Sequence, residues 1–346
     1  MAGRCALGSS RNRALWAVLP VAAALAASAC SSDTPAPRSP SPEGPAGNPL
    51  AGQFFYVDPA SPAAKQAADW RAEGRAQDAA AMRRLAARPT AAWFADGSAV
   101  ASRVRSVTRR AARAETTALL VAYYVPGRDC GSYSAGGAPS AASYREWVRA
   151  LAHGIGNRPA VVILEPDAIP QAVAGCLSAS ARAERYALLR FAARTLSARP
   201  RAVVYLDAGN PGWIKPPSRL VRPLRSAGAE AADGLALNVS NFYRTATTLR
   251  YGLALSRAIG NAHFVIDTSR NGNGPGADDR GGPAWCNPPG RALGEAPTTN
   301  TGHQLVDAYL WVKVPGVSDG TCRPGAPRAG EWWPEHALEL ARTGDP

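Results

Sequence analysis

Short apolar runs alternate along this chain with longer segments in which apolar residues recur at helical spacing. The apolar runs are rich in Val, Ala, Leu and Ile and nearly continuous, which is typical of strands buried on both faces of a parallel sheet. Seven strands are predicted, over 91–94, 119–124, 160–164, 202–206, 235–239, 263–267 and 308–313. Helices are predicted over 60–87 and near 141–153, 180–197, 218–227, 245–258 and 334–342. This alternation predicts a parallel α/β fold.

The hydrophobic pattern by itself fits either a barrel or a doubly wound sheet. Nucleotide-binding versions of the doubly wound sheet are disfavoured, because the sequence has no GxGxxG after an early strand and no GxxxxGK[ST]. About 300 residues remain after the N-terminal segments described below, which is enough for one large domain with a sizeable core.

Four of the apolar runs lead into an aspartate: Asp129, Asp167, Asp207 and Asp319. In an α/β barrel the active site lies at the carboxyl ends of the strands, so these acids are candidate catalytic residues. Glycoside hydrolysis uses two carboxyl groups and needs no cofactor, and is therefore the first hypothesis. The structural alternative is that each aspartate caps a helix or forms a turn. Arg128 is a candidate ion-pair partner for Asp129.

Residues 268–302 form a long segment rich in Gly, Pro and Asn with no obvious helix or strand. Loops of this length inside a compact domain are usually functional. We expect this segment to cover a substrate cleft.

The first residues resemble an export signal. Residues 1–30 combine three arginines, an apolar stretch over 14–27 and small residues before Cys30, which predicts a secretory leader. Cys30 lies in a lipobox-like context, although Ala27 stands where such boxes usually carry Leu, so lipidation and simple secretion are both open. Residues 31–47 are rich in Ser and Pro and predict a disordered tether. The domain prediction is therefore a leader (1–30), a tether (31–47) and a catalytic domain (48–346), with an extracellular or cell-surface location.

The formal net charge of +13 raises the question of nucleic-acid binding. Of the 39 basic residues only three are lysine, and the arginines are scattered without a dense basic block that alternates with aromatic residues. A solvated, arginine-rich surface is the better interpretation, and no nucleic-acid partner is predicted.

The positions of cysteine, histidine and tryptophan residues further limit the kinds of site that the sequence can form. Four cysteines remain in the predicted domain, which suits two disulfides outside the cell with three possible connectivities: Cys130, Cys176, Cys286 and Cys322. No CxxC or HxxxH motif is present, so no zinc site is expected. His153 and His336 fall in helical patterns, so a serine hydrolase is not expected either. Trp93, Trp213 and Trp285 fall near strand ends or in the long segment and are candidate sugar platforms, whereas Trp311 is expected in the core.

Several strings together resemble glycoside hydrolase family 6, a family of β-1,4-glucan-cleaving cellulases. They run in order from residue 123 to residue 316: YYVPGRDCGSYSAGG, ILEPDAI, YLDAG, NVSNF, IDTSRNGNGP, WCNPPGRALG and DAYLWVKVPG. The resemblance implies a distorted, TIM-like, seven-stranded parallel β/α barrel. It also implies hydrolysis with inversion at the anomeric carbon, a β-1,4-glucan as partner, and an endo-β-1,4-glucanase without cofactor or metal. We expect a monomer.

The resemblance also implies roles for single residues. Asp167 resembles the general acid, Asp129 the carboxylate that raises its pKa, and Asp319 the proposed base, directly or through water. Further sugar contacts implied by the resemblance are Tyr123, Trp93, Asp207, Trp213, Asn238, Asn241, Trp285 and Lys313. The cysteines would pair as Cys130–Cys176 and Cys286–Cys322.

Two positions depart from the pattern of the family. Val317 stands where a sugar-contacting Glu is usual, and Asn210 stands where His is usual. Losing one charged hydrogen bond costs about 1.5–3 kcal/mol, so weakened or retuned activity is expected. The alternative hypothesis is a glucan-binding lipoprotein with weak or lost catalysis.

Overall fold

The computed structural model describes residues 47–277 and 283–343. The predicted leader, Cys30 and all of the predicted tether except Gly47 lie outside the described residues. Their domain boundaries therefore stay predictions. No helix within the described ranges is both long enough and apolar enough to cross a bilayer.

The described residues form one seven-stranded sheet in which neighbouring strands follow the order of the chain and all pairs are parallel. The strands are β1 (Ala92–Phe94), β2 (Ala118–Ala122), β3 (Ala160–Leu164), β4 (Ala202–Asp207), β5 (Gly234–Leu237), β6 (His263–Asp267) and β7 (Val306–Leu310). All seven predicted strands are confirmed, with ends that differ by a few residues. The parallel α/β architecture is confirmed with them.

The sheet curls into an incomplete barrel. Instead of a ladder between β7 and β1, two hydrogen bonds tie the start of the sheet to the segment after β7. The Ala91 amide donates to the Trp311 carbonyl at 3.1 Å, and the Trp93 indole donates to the Val312 carbonyl at 2.8 Å. This is the distorted barrel that the family resemblance implied.

The helices of the described residues surround the sheet and fill most of the intervals between strands. They are α1 (Pro62–Ala72), α2 (Ala76–Ala86), α3 (Val100–Arg113), α4 (Ala141–Ile155), α5 (Ala168–Ala174), α6 (Ala179–Ser197), α7 (Val221–Ser226), α8 (Thr245–Ala258) and α9 (Pro334–Thr343). The single helix predicted over 60–87 is in fact two, because the chain turns at Gly74 with a φ of 78°. Helix α3 was not predicted. Its buried residues form one narrow stripe at positions 100, 104, 108 and 111 in an arginine-rich segment.

Alternate residues of each strand enter two different hydrophobic cores. In β3, Val161 and Ile163 fill the inside of the barrel, whereas Val162 and Leu164 pack in the layer of helices outside it. Both faces of the sheet are therefore buried, which explains the nearly continuous apolar runs in the sequence.

A polar cluster lies inside the barrel near the amino ends of β6 and β7. The Tyr205 hydroxyl donates to Asp307 Oδ2 at 2.7 Å, and His263 Nδ1 lies 2.5 Å from Asp307 Oδ1. The pairing of β6 with β7 shifts register between Phe264 and Val265, and Asp307 lies in the bulge that results. The buried carboxylate is thus satisfied by two side chains, as a buried charge must be.

We expect Tyr205→Phe to lower the free energy of unfolding by about 1–3 kcal/mol, because it leaves one buried oxygen of Asp307 without its donor. Chemical unfolding followed by circular dichroism measures the change. Tyr133→Phe is the control, since Tyr133 is 46% exposed and should leave stability unaltered. Equal stability of Tyr205→Phe and the natural protein would show that the hydroxyl contributes nothing.

Candidate active site

A cleft of about 640 Å³ lies where the strands end and the loops after them begin. It brings together most of the predicted site residues: Trp93, Tyr123, Asp129, Asp167, Trp213, Asn241, Trp285, Lys313 and Asp319. Parallel strands deliver their carboxyl ends to one edge of the barrel, which is why residues so distant in sequence meet here.

Asp167 lies between β3 and α5 with a φ of 69°, a left-handed conformation that is uncommon for any residue but glycine. Its amide donates to Asp207 Oδ1 at 2.9 Å. Burial, followed by the negative charges of Asp129 and Asp319, raises the pKa of Asp167 to about 7, against the opposing charge of Lys313. The carboxyl group therefore retains its proton near neutral pH, which is what a general acid requires.

Asp129 lies on the loop after β2 and receives two hydrogen bonds. The Ser134 amide donates to Oδ2 at 2.7 Å, and the Gln171 side chain donates to Oδ1 at 3.1 Å. Burial raises the pKa of Asp129, whereas both hydrogen bonds and the charge of Arg128 oppose that rise. Asp129 is thus a partly stabilised carboxylate in the same cleft as a protonated one.

The candidate ion pair between Arg128 and Asp129 does not form in the structure. The guanidinium of Arg128 donates to the carbonyl oxygens of Ala95, Tyr123 and Ser134 instead, at 2.7, 2.6 and 2.8 Å. It also lies over the Tyr123 ring, 4.6 Å from its centre. Arg128 therefore stabilises the backbone around Tyr123 and influences Asp129 only through its charge.

Asp319 is held by two cations. Arg270 Nη1 lies 2.8 Å from Oδ2, and Lys313 Nζ lies 2.9 Å from Oδ1. The Asn287 amide donates to Oδ2 at 3.0 Å. Although burial alone would raise the pKa of Asp319, these two charges outweigh it and hold the pKa far below the usual range. Such a carboxylate is a permanent negative charge and a weak proton acceptor.

Two predicted sugar contacts lie beneath the cleft and do not line it. Asp207 is 1% exposed, and its Oδ1 accepts the amides of Asp167 and Gly209. Asn238 is fully buried, and its Nδ2 donates to the carbonyl oxygens of Tyr243 and Asp267. Both side chains therefore support the backbone of the site and do not face the cleft.

Two buried acids were missed by the sequence reasoning. Asp267 ends β6 and accepts four amides, from Ser240, Ser269, Val312 and Lys313. Glu165 follows β3 and accepts the amides of Tyr124 and Val125. Asp267 carries the same signal as the predicted acids, an aspartate at the end of a strand. Glu165 carries a similar signal, because it directly follows the last residue of β3.

The aromatic walls of the cleft differ in exposure. Trp213 is 37% and Trp285 45% exposed. Trp93 meets the Tyr123 ring edge-on at 5.4 Å, which places two aromatic groups beside the acids. Trp311 is buried against α1, α2 and α9, as predicted.

The two departures from the family pattern occupy different places. Asn210 lines the cleft, and its Oδ1 accepts the Gly212 amide at 3.0 Å. Val317 does not line the cleft and forms an isolated antiparallel β-bridge with Trp332.

Two disulfides within the described residues hold loops of the site, Cys130–Cys176 and Cys286–Cys322. This is the pairing implied by the family resemblance. The first bond joins the loop of Asp129 to the chain just after α5. The second joins the long segment 268–302 to the loop of Asp319. Pro275, Gly276, Ala284 and Trp285 of that segment form part of the cleft wall.

In the part of the chain that the structure describes, no group of His, Cys, Asp and Glu side chains could hold a metal ion. The cleft instead combines a protonated carboxyl group, ionised carboxylates and aromatic surfaces. This combination suits acid-assisted cleavage of a bond between sugars.

Comparisons with known proteins agree with this arrangement. The family described as "Glycosyl hydrolases family 6" matches residues 50–344. Endoglucanase A of Cellulomonas fimi is 44% identical over 292 residues, which are 84% of this chain and 61% of that protein. Endoglucanase A of Thermobispora bispora is 43% identical over 298 residues, 84% of this chain and 62% of that protein. The chain thus spans about three fifths of the length of these two relatives.

Solved structures show the same likeness. The endoglucanase Cel6 of Mycobacterium tuberculosis, in complex with methyl-cellobiosyl-4-deoxy-4-thio-β-D-cellobioside, superposes with a TM-score of 0.80 and 43% identity. The match covers 86% of this chain and 99% of that chain. The catalytic core of the cellobiohydrolase Cel6A of Chaetomium thermophilum matches with a TM-score of 0.74 and 25% identity, covering 87% of this chain and 99% of that chain. With its parallel barrel, its acids at the strand ends and the match over nearly the whole described domain, the chain belongs to glycosyl hydrolase family 6.

Proposed function

We propose that this protein is an exported glycoside hydrolase that cleaves β-1,4-glucosidic bonds of cellulose or a related β-glucan with inversion. The observation that carries the proposal is Asp167, a carboxyl group with a pKa of about 7 in an aromatic-lined cleft beside two further acids. Membership of the family supports it, as do the relatives named endoglucanases and the cellobioside complex of the Mycobacterium tuberculosis enzyme.

In the proposed mechanism, Asp167 donates its proton to the glycosidic oxygen as the bond to the anomeric carbon breaks. A water molecule attacks that carbon from the opposite face of the ring, which inverts its configuration. Trp213, Trp285 and Trp93 offer faces on which sugar rings stack, and Tyr123 lies beside the acids.

The proton of the attacking water needs an acceptor. Asp319 would have to be protonated against the attraction of Arg270 and Lys313. Asp129 has a raised pKa and carries no ion pair to a side chain among the described residues, so it is the better acceptor of the two. We therefore assign Asp319 a charge-stabilising role beside the developing positive charge on the sugar, and proton removal to Asp129, directly or through water.

Export and anchoring are part of the proposal. The leader pattern over 1–30 supports export, and the two disulfides suit an oxidising compartment. Cys30 is the proposed lipid attachment site, which would place the domain at the cell surface, as a monomer on the 31–47 tether.

The function is tested by the release of reducing sugar from a soluble β-1,4-glucan. We expect Asp167→Ala to lower the rate at least about 100-fold, because general acid catalysis contributes factors of that size. Asp69→Asn is the control, since Asp69 is exposed on α1 and does not line the cleft.

Two outcomes would contradict the proposal. Binding of glucan without turnover by the natural sequence would support the alternative, a glucan-binding lipoprotein. An initial product with the β-anomeric configuration, observed by proton NMR, would exclude inversion on a β-linked substrate.

The pH dependence follows from the charge of Asp129. Asp167 acts in its protonated form, so activity should fall as the pH rises through about 7. Asp129→Asn removes a negative charge that raises the pKa of Asp167, so the alkaline limb should move to lower pH. Residual activity of the variant as a function of pH measures the shift, with Asp69→Asn as control. An alkaline limb that stays in place would show that Asp129 does not tune the acid.

The aromatic platforms should act on substrate binding. We expect Trp213→Ala and Trp285→Ala each to raise KM several-fold, because a stacking contact is worth about 0.5–1.5 kcal/mol. Phe54→Ala is the matched control: Phe54 is 79% exposed and does not line the cleft. An equal KM for all three variants would argue against sugar stacking at these tryptophans.

A further inference from the structure

The loop that carries Asp129 needs support from outside itself. Asp129 and Cys130 adopt φ values of 57° and 48°, a region that costs free energy for residues other than glycine. Such a conformation persists only where the surroundings determine it. The Cys130–Cys176 disulfide supplies one constraint, but it holds the backbone at the residue after Asp129. The Ser134 amide of the same loop holds Oδ2 of the carboxylate at 2.7 Å.

Gln171 reaches the carboxylate itself. Its Nε2 donates to Asp129 Oδ1 at 3.1 Å, and the side chain is only 7% exposed. Gln171 lies on α5 four residues after Asp167, and its backbone amide donates to the Asp167 carbonyl at 2.9 Å. One helical turn therefore joins the proposed acid to the side chain that holds its partner carboxylate.

The orientation of the Gln171 amide is set from behind by Arg185. Arg185 is 3% exposed on α6, and its Nη1 lies 3.5 Å from Gln171 Oε1 and 3.4 Å from the Ala168 carbonyl. If the side-chain amide of Gln171 were reversed, its NH2 group would face the Arg185 guanidinium and its oxygen would face the Asp129 carboxylate. Both contacts would be repulsive. Only the observed orientation places a donor against Asp129.

The same arginine holds the loop. Its Nη2 donates to the carbonyl oxygens of Pro126 and Gly127 at 2.9 and 2.7 Å. Arg185 thus fixes both the approach of the Asp129 loop and the amide that meets it.

We propose that Gln171 is a positioning residue that holds Asp129 at a fixed place relative to Asp167 and keeps Asp129 ionised while Asp167 retains its proton. The proposal rests on the proposed hydrolase function for its kinetic consequence, but not for its effect on ionisation. A hydrogen bond donated to a carboxylate favours the charged form, so Gln171 lowers the pKa of Asp129.

Gln171→Met tests this with a side chain of similar length that cannot donate. We expect kcat to fall about tenfold with KM within about twofold, because a hydrogen bond to a charged group acting on the reacting arrangement is lost. The acid limb of the pH profile should move to higher pH, because Asp129 now takes up a proton more readily. Gln171→Glu places a second carboxyl group against Asp129 and should move that limb further in the same direction.

Carbon-13 NMR titration of the aspartate carboxyl groups gives a readout that needs no substrate. The titration of Asp129 should move to higher pH in Gln171→Met. The other charged or ionisable groups around Asp129 are the same in the variant and the natural protein: Arg128, Tyr123 and Asp167. Gln304→Ala is the control, because it removes an exposed glutamine that does not line the cleft.

The outcomes separate this inference from the proposed function. An unchanged Asp129 titration in a Gln171→Met protein with the thermal stability of the natural one would overturn the positioning role. If the natural protein hydrolyses no glucan, the proposed function fails, but the NMR titration still decides the role of Gln171. A fall in kcat with no movement of either the pH profile or the titration would point to a merely structural side chain and also count against the proposal.

Discussion

The structure depends on burying several carboxyl groups close together at one end of a barrel. Asp129, Asp167 and Asp319 share the cleft, and Asp207 lies beneath it. Like charges in a poorly hydrated place repel strongly, so the group can exist only if some members give up their charge and others are compensated. The fold satisfies this requirement differently for each acid, and these differences define their chemistry.

Compensation comes mainly from backbone amides and from two cations. Asp267 receives four amides and Glu165 two, so these buried acids organise the loops that follow β2, β5, β6 and β7. Asp319 takes the two cations, Arg270 and Lys313. For Asp167, burial and the neighbouring carboxylates outweigh the charge of Lys313, so its pKa is raised to about 7. One acid is therefore available as a proton donor because the cations of the site are committed to another.

Much of the fold was predictable because both faces of the strands are buried. Continuous apolar runs located all seven strands, and the alternation with helices identified the parallel sheet. Helix α3 escaped prediction because its buried stripe is narrow and its other positions are mostly arginine and serine. The break at Gly74 was also missed, since alanine-rich sequence continues on both sides of it.

Within the site, the sequence determined which acids stand at strand ends, because strand patterns and aspartates are both local features. It could not determine what each acid contacts. Only the tertiary structure placed Arg270 and Lys313 on Asp319, Gln171 on Asp129, and Asp207 beneath the cleft floor. The contacts of Arg270 with Asp319, Gln171 with Asp129 and Asp207 with Asp167 join residues 49, 42 and 40 positions apart. A carboxyl group acquires its proton affinity from such neighbours and from its burial. The sequence therefore identifies the acids, whereas the folded barrel determines which of them holds a proton and which stays ionised.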